Sequence, residues 1–305
     1  MHDFAIRGTC AATHTPFDAS GDLALDVVEI QRDHLSSRGI RQVFIAGSTG
    51  ESHSLSLDER RALTERWLAV TKGTDLQVIV HVGSNCLRDA AALAAHAASH
   101  GAAAVSMLAP SYFKPKSVAD LVACCELVAR AAPQVPFYYY DIPALTGVLF
   151  SMEEFLALAP ERIPGLRGIK FTNQDLMAYQ LAMRAGDGRF DLPWGCDEFF
   201  LAALSLGARG AVGSTFNFAP GIYHRMQLAF DRGDLATARI EQYRSVQLVK
   251  ILARHGYMGS AKALMNHLGV PVGIARLPNS APDAATTALI LEQLARIGFF
   301  DWKDA

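Results

Sequence analysis

Charge of a single sign, paired cysteines and long apolar runs are all missing from this sequence. Its 28 lysines and arginines are balanced by 30 aspartates and glutamates, which gives a net charge of −2. That balance lacks the positive field that nonspecific binding to nucleic acid or to a membrane surface requires. The five cysteines are odd in number, scattered and without CxxC spacing, which argues against a disulfide framework or a zinc knuckle.

The first residues, MHDFAIRGTC, contain no basic segment followed by an apolar run, so we expect no secretory signal. No stretch approaches the roughly 18 uninterrupted apolar residues of a membrane span. Together with the unpaired cysteines, these absences favour a protein of the reducing cytoplasm. Half of the 305 residues are hydrophobic, so the chain can bury a large core. We expect its partners to be small molecules or further copies of itself.

Short β-rich runs alternate with stretches rich in alanine and leucine, a pattern typical of βαβ units around a parallel sheet. The predicted strands are 5–11, 42–46, 77–82, 103–108, 136–141, 166–171, 190–194 and 210–213. The predicted helices between them are 26–37, 58–72, 88–100, 118–131, 152–158, 174–185, 198–206 and 220–231. Eight β-then-α units favour an α/β fold of the (β/α)8 TIM barrel type over a doubly wound sheet, which usually has fewer strands.

The pattern changes after residue 231, where strand signals cease and only helices are predicted. They cover 234–255, 261–267 and 282–297, and the segments GYMG and GVPVGIARLPNS separate them. No Ser/Gly-rich or charge-rich linker precedes these helices, so we expect them to dock on the barrel. The predicted organisation is a catalytic barrel over 1–232 and a C-terminal helical extension over 233–305.

Lys170 differs from the other six lysines in its position. The others fall in loops, on predicted helices or at the terminus, whereas Lys170 ends the apolar strand GLRGIKF. Alternation along the strand turns Ile169 and Phe171 to the other face and leaves the amine pointing into the barrel. Burial favours the free amine that a Schiff base with a ketone requires, and we expect Lys170 to be the only buried lysine. A structural lysine paired with a buried carboxylate is the alternative.

The segment GSTGES, at 47–52, follows the second predicted strand directly. Its glycines allow backbone N–H groups to approach an anion, and Ser48 and Thr49 add two hydroxyls, so the segment could hold a carboxylate. It has no P-loop lysine and no GxGxxG, which argues against a nucleotide site. A purely structural βα turn is the alternative.

Three consecutive tyrosines close the fifth predicted strand, in FYYYDIPALTG at 137–147. Alternation sends Tyr138 and Tyr140 to one face and Tyr139 to the other. A tyrosine at the tip of a barrel strand can relay a proton to or from a substrate oxygen near a Schiff base. Aromatic core packing with a hydrogen-bonded hydroxyl is the alternative.

Acidic and hydroxyl residues follow the last two predicted strands, in WGCDEFF at 194–200 and GSTFN at 213–217. Asp197, Glu198 and Ser214 offer the acceptors and donors that sugar hydroxyls need, whereas a phosphate would be repelled there. For one of the two acids, we expect capping of the following helix instead. The ten histidines show no HxH or HExxH spacing, so no metal site is expected.

The motifs GSTGE, YYYDIPALTG, GIKFT, GCDE and GSTFN together resemble those of the pyruvate-dependent class I aldolase superfamily typified by dihydrodipicolinate synthase. Within it they look most like the N-acetylneuraminate lyase branch. The resemblance runs from about residue 7 to about residue 278. It implies a (β/α)8 barrel with a C-terminal helical extension, no metal or organic cofactor, and a homotetramer built as a dimer of dimers.

The resemblance also implies roles for individual residues. Lys170 would be the Schiff-base lysine and Tyr140 the acid/base phenol, while Ser48 and Thr49 would hold the carboxylate of pyruvate. Tyr112, in APSYFKPK, would reach the site of a neighbouring subunit. The residues that would line the site for the sugar are Thr172, Gly195, Asp197, Glu198, Gly213 and Ser214.

The leading hypothesis from this resemblance is a retro-aldolase that cleaves N-acetylneuraminate to pyruvate and N-acetylmannosamine. The synthase branch carries an arginine after the catalytic tyrosine, where this sequence has Leu145, which argues against dihydrodipicolinate synthesis. Asp141 stands where relatives often have asparagine or histidine, so an aldolase or dehydratase for a different 2-keto-3-deoxy sugar acid stays open. So does a sugar-acid binding protein on an inactive barrel, although the intact Lys170 and Tyr140 pair speaks against it.

Overall fold

The computed structural model of the chain describes residues 4–303 and is built around one parallel sheet. Its strands lie in the order β6-β5-β4-β3-β2-β1-β7, and each neighbouring pair is parallel. They are β1 (Gly8–Ala12), β2 (Gln42–Ile45), β3 (Gln77–His81), β4 (Ala104–Leu108), β5 (Phe137–Asp141), β6 (Leu166–Phe171) and β7 (Gly210–Gly213). The predicted α/β class is therefore confirmed.

Helices connect these strands, and several begin where a side chain caps the first turn. Ser56 and Glu59 form a reciprocal capping box at the start of α2, and Ser117 caps α4. The helices are α1 (Val27–Ser37), α2 (Leu57–Thr71), α3 (Leu87–Ser99), α4 (Val118–Ala129), α5 (Pro143–Thr146), α6 (Met152–Arg162), α7 (Leu176–Arg184), α8 (Phe200–Ser205) and α9 (Pro220–Asp231). Only the short α5 was not predicted.

The predicted strand 190–194 forms no regular strand, so the sheet has seven regular strands where eight were predicted. Isolated parallel bridges join this segment to Gly168 and Phe171 on β6 and to Ala211 on β7. Pro193 interrupts the segment because proline has no N–H to donate to a strand pairing. The two outer strands of the sheet are nevertheless connected through it.

The two faces of the sheet bury different side chains. Tyr138 and Tyr140 lie in an inner cluster with Phe44, whereas Tyr139 packs outward against Phe155 of α6, with ring centroids 5.0 Å apart. The alternation predicted for the three tyrosines is thereby confirmed. It places the Tyr140 ring on the face that Lys170 also occupies.

The C-terminal part is helical, as predicted, and comprises α10 (Leu235–Arg254), α11 (Tyr257–His267), α12 (Ala284–Arg296) and α13 (Phe299–Trp302). Glu241 of α10 forms a bidentate ion pair with Arg225 of α9, so this part packs on the preceding helices. GYMG is not a separating segment: Gly256 has a positive φ of 84°, and α11 starts at the next residue. The ends of the predicted regions, 1–3 and 304–305, lie outside the described residues. Within 4–303, no helix combines the length and apolar character that a membrane crossing requires.

Candidate active site

Lys170 and Tyr140 form the centre of the candidate site. The two residues are paired in register on β6 and β5. The Lys170 side chain is buried, with 4% of the residue exposed, and its Nζ lies 3.7 Å from the Tyr140 ring centroid and 4.6 Å from that of Phe44. No carboxylate among residues 4–303 forms a salt bridge with Lys170, so the paired structural lysine has no support from this geometry.

The loop after β2 brings hydroxyl groups to this centre. Ser48 Oγ lies 3.4 Å from the Tyr140 hydroxyl. Ser48 and Thr49 are half-buried and line a cavity of about 500 Å³, with Leu145 and Tyr257 on other walls. A similar cleft, of about 520 Å³, contains no predicted site residue. In parallel barrels the carboxyl ends of the strands carry the active site, so we assign it to the cavity beside Ser48.

Thr172 and Gly195 lie in close contact just beyond the carboxyl end of β6. A Cβ on Gly195 would stand 1.8 Å from Thr172 Oγ1, so only glycine fits at this position. The Oγ1 atom is buried and has no hydrogen-bond partner in the described part of the chain. Buried hydroxyls are rarely left unpaired in folded proteins. This atom is thus a candidate for a hydrogen bond with a bound molecule.

Asp197 is buried and binds the next loop. Its Oδ2 accepts hydrogen bonds from the Thr215 backbone N–H at 2.9 Å and the Thr215 hydroxyl at 2.6 Å. Burial raises the pKa of Asp197 to about 6, and the bonds from Thr215 oppose that shift. A Cβ on Gly213 would stand 2.1 Å from Asp197 Oδ1, so the absence of a side chain there makes room for the carboxylate.

The expectation that one of the two acids caps the following helix is wrong. Neither the short 3-10 turn Asp197–Phe199 nor α8 receives a side-chain cap. Asp197 instead holds the turn that begins at Thr215. Glu198 is half-buried and makes no hydrogen bond within residues 4–303, so its carboxylate is the freer of the two.

Tyr257 belongs to this site and was not found by sequence reasoning. Its hydroxyl lies 2.6 Å from Ser214 Oγ, and burial raises its pKa above the usual value. It also lines the cavity of Ser48 and Thr49. The residue follows Gly256 in GYMG, a sequence that indicates a loop rather than a helix start, and no strand end precedes it. The Ser214 contact joins residues 43 positions apart, which the sequence does not reveal.

Tyr112 lies apart from the buried centre. It is 79% exposed on the segment between β4 and α4, where its ring packs edge-to-face on Phe113 with centroids 4.9 Å apart. The Asn85 side chain accepts a hydrogen bond from the Tyr112 backbone N–H and so fixes this segment. The ring itself is exposed at the surface of this chain.

Lys170 is not the only buried lysine, contrary to expectation. Lys262 of α11 is 1% exposed and forms a salt bridge of 2.9 Å with Glu51, which immediately follows the STG sequence of the β2 loop. The sequence showed Lys262 only as one position on a predicted helix. Its partner lies 211 residues earlier.

One group of side chains among residues 4–303 has the composition of a metal site. Glu65, His96 and His100 offer ligand atoms that lie within 4.8 Å of one another. The group is on α2 and at the end of α3, is largely exposed, and includes no predicted site residue. No group of this kind is found at Lys170.

Comparison to known proteins agrees with this fold. The chain belongs to the Dihydrodipicolinate synthetase family, whose sequence profile matches residues 5–291. It is 41% identical to N-acetylneuraminate lyase A of Xenopus laevis over 276 residues, 90% of each chain. The structure of Proteus mirabilis N-acetylneuraminate lyase matches with a TM-score of 0.94 at 34% identity, covering 97% of this chain and 100% of the other. A catalytic lysine mutant of Ruminococcus gnavus sialic acid aldolase matches with a TM-score of 0.90 at 25% identity, covering 96% of each chain.

Proposed function

We propose that this protein is a class I aldolase, a carbon–carbon lyase that cleaves N-acetylneuraminate to pyruvate and N-acetylmannosamine through a Schiff base on Lys170. Relatives named as N-acetylneuraminate lyases match it over nearly its whole length and support this substrate. The observation that carries the proposal is the buried Lys170 amine, which lies 3.7 Å from the Tyr140 ring and has no carboxylate partner within residues 4–303.

Binding would begin at the loop after β2. The Ser48 and Thr49 hydroxyls line the cavity, and the loop's glycines let backbone N–H groups approach the substrate carboxylate. Holding the carboxylate there would present the neighbouring C2 ketone to the Lys170 amine. Such positioning supplies much of the advantage of an enclosed site over solution.

The chemistry then follows from a nucleophilic amine beside a proton relay. The Lys170 amine attacks C2 of the open-chain sugar acid, and loss of water gives an iminium that accepts electrons. The C4 hydroxyl loses its proton through Tyr140 and Ser48, whose oxygens are 3.4 Å apart. The C3–C4 bond breaks, so C4 becomes the aldehyde of N-acetylmannosamine and the bond's electrons form an enamine. Protonation at C3 and hydrolysis release pyruvate and free the lysine.

The sugar tail would be recognised on a second wall of the site, formed by residues that follow β6, the segment 190–194 and β7. Among the described residues, Glu198 has no hydrogen-bond partner for its carboxylate, and the unpaired Thr172 hydroxyl can bond to a substrate oxygen. Asp197, Ser214, Gly195 and Gly213 would shape the same wall. Asp197 is fixed by Thr215, and Ser214 is fixed by Tyr257. A polyhydroxylated ligand suits such a set, because each hydroxyl both donates and accepts a hydrogen bond.

The same proposal covers the domain architecture, the cellular location and the oligomeric state of the enzyme. We infer a (β/α)8 barrel over 1–232 and a helical extension over 233–305. In this barrel the segment 190–194, between β6 and β7, is an additional irregular strand that brings the count to eight. Hydrogen bonds from that segment to β6 and β7 support the assignment. We further propose a cytoplasmic homotetramer without metal or organic cofactor. The exposed Tyr112 ring would then extend to the site of a neighbouring subunit.

One alternative substrate class has an observation in its favour. The GSTGE loop is shared by aldolases and dehydratases of other 2-keto-3-deoxy sugar acids, and Ser48, Thr49 and Lys170 would serve them equally. Dihydrodipicolinate synthesis is disfavoured because the cavity wall carries Leu145 in place of an arginine that would receive a second carboxylate.

Product analysis tests the proposal most simply. The protein is incubated with a panel of 2-keto-3-deoxy acids that includes N-acetylneuraminate, and pyruvate and the aldehyde product are quantified, with Lys170→Met as the control for background cleavage. We expect N-acetylneuraminate to be the best substrate. Pyruvate release from another member of the panel alone would transfer the assignment to that acid, and no release from any of them would leave a binding protein.

A further inference from the structure

A buried ion pair connects the C-terminal helices to the loop that carries Ser48 and Thr49. Lys262 Nζ lies 2.9 Å from Glu51 Oε1, and the two side chains are 1% and 0% exposed. Burial of two charges opposes folding unless the pair is well aligned and further hydrogen bonds satisfy the remaining atoms. The structure around the pair meets this condition.

Both partners bond to other parts of the chain. Lys262 Nζ also donates to the Thr15 carbonyl at 2.9 Å, and Glu51 Oε2 accepts from the Arg276 backbone N–H at 2.8 Å. The Thr15 hydroxyl in turn donates to the Gly50 carbonyl at 2.6 Å. The segment after β1, the loop after β2 and the C-terminal part thus meet at a single carboxylate–ammonium pair.

The loop that this pair holds has an unusual backbone. Glu51 has a positive φ of 53°, a conformation that residues other than glycine adopt rarely. A Cβ on Gly50 would stand 2.9 Å from the backbone N of Ala46, so the turn doubles back on itself. The Glu51 N–H donates to the Ser48 carbonyl at 3.0 Å, which closes the turn around Ser48 and Thr49.

We propose that Lys262, acting through Glu51, is a positioning residue that fixes the Ser48 and Thr49 hydroxyls for the substrate carboxylate. The inference rests on the proposed aldolase function for its substrate, but the contacts themselves need no ligand. The same helix, α11, begins with Tyr257, whose hydroxyl contacts Ser214 after β7. One helix of the C-terminal part therefore holds loops on two sides of the candidate site.

The test compares Lys262→Met with Lys250→Met, which removes an exposed lysine from α10. Hydrogen exchange of the amides at 47–52 is measured without ligand, and KM and kcat are measured with N-acetylneuraminate. We expect Lys262→Met to accelerate exchange in this loop and to raise KM roughly tenfold or more, with a smaller change in kcat. Lys250→Met should change neither quantity.

Lys262→Met leaves the Glu51 carboxylate buried without its partner and can fail to fold. The double variant Glu51→Gln/Lys262→Met removes both charges and gives the same readouts in a folded protein, with the same expected direction. A variant that loses thermal stability while loop exchange and KM stay at wild-type values would overturn the proposal and leave a purely structural pair. If the wild type cleaves nothing, the proposed function fails, and the exchange data alone decide whether Lys262 orders the loop.

Discussion

Tyr140 and Lys170 are paired in register on neighbouring parallel strands, and Lys170 Nζ lies 3.7 Å from the centroid of the Tyr140 ring. Side chains at paired positions project from the same face of a sheet, so the strand pairing itself brings the amine and the phenol together. The surrounding loops then need to supply only the groups that bind substrate. We propose this role for Ser48, whose hydroxyl lies 3.4 Å from the phenol in the loop after β2.

Removal of the Tyr140 hydroxyl should separate imine formation from turnover. Tyr140→Phe keeps the ring that packs on Phe44 and His81. We expect kcat for N-acetylneuraminate to fall by roughly 10²–10⁴-fold, since general acid–base catalysis is worth about that much. The pyruvate imine should still form, but slowly. Steady-state kinetics and borohydride trapping measure the two effects.

Tyr139→Phe is the matched control for this change. It removes the same atom from the opposite face of β5, where the Tyr139 hydroxyl is buried without a hydrogen-bond partner. Its kcat should match that of the wild type. An unchanged kcat in Tyr140→Phe would make Tyr140 an aromatic core residue.

The two neighbouring acids should differ in what their removal affects. Asp197→Ala leaves the Thr215 N–H without its acceptor and should lower the free energy of unfolding by about 1–3 kcal/mol. Glu198→Ala removes a carboxylate with no internal hydrogen bond and should leave stability nearly unchanged. It should lower kcat/KM for N-acetylneuraminate roughly ten- to a hundredfold, because charge-assisted bonds to the sugar are lost.

Urea denaturation measures the change in stability of each variant. Kinetics with N-acetylneuraminate, compared with imine formation from pyruvate alone, measure the effect on sugar binding. Pyruvate does not reach the sugar wall, so its imine should form normally in Glu198→Ala. Equal loss with both ligands would remove Glu198 from the sugar site.

Asp141 should make stability depend on pH. It is 1% exposed, its Oδ2 has no partner among residues 4–303, and burial raises its pKa from 3.8 to about 7. Between these values the folded chain retains a proton that the unfolded chain releases. Stability should therefore fall as the pH rises from about 4 to about 7, by an amount on the order of a few kcal/mol.

Asp141→Asn should weaken this dependence and be more stable than the wild type at pH 8. The buried Asp197, whose pKa is raised from 3.8 to about 6, contributes a further fall in stability as the pH rises between these two lower values. The exposed Asp58→Asn serves as the control. Urea denaturation at pH 5 and pH 8 measures all three proteins. Parallel pH profiles for Asp141→Asn and the wild type would show that this carboxyl is not the titrating group.

Local sequence patterns predicted much of this fold because they report directly on local structure. The alternation in FYYYD placed Tyr140 correctly, and the apolar strand around Lys170 indicated its burial. The segment 190–194 looks equally strand-like, but Pro193 cannot donate to a pairing and the segment forms only isolated bridges. Whether such a run becomes a strand depends on neighbours that lie far away in the sequence.

Contacts between distant positions could not be predicted in the same way. Asp197 looks like a helix cap by its position, yet its partner Thr215 lies 18 residues further on. Lys262 resembles any helical lysine until the fold brings it to Glu51, 211 residues earlier. The motifs predicted which residues carry the chemistry, whereas the residues that hold them in place became visible only in the structure.

Trapping with pyruvate and sodium borohydride, followed by peptide mapping, tests the central claim most directly. Two lysines are buried among residues 4–303, and burial lowers the pKa of Lys262 to about 8, so Lys262 is an internal comparison for Lys170. Of these two, Lys170 lies beside Tyr140 and has no carboxylate partner in the described part of the chain, whereas Lys262 is paired with Glu51. We predict one reduced pyruvate adduct per chain, located on Lys170. An adduct on Lys262 or another lysine, or none at all, would contradict the Schiff-base mechanism.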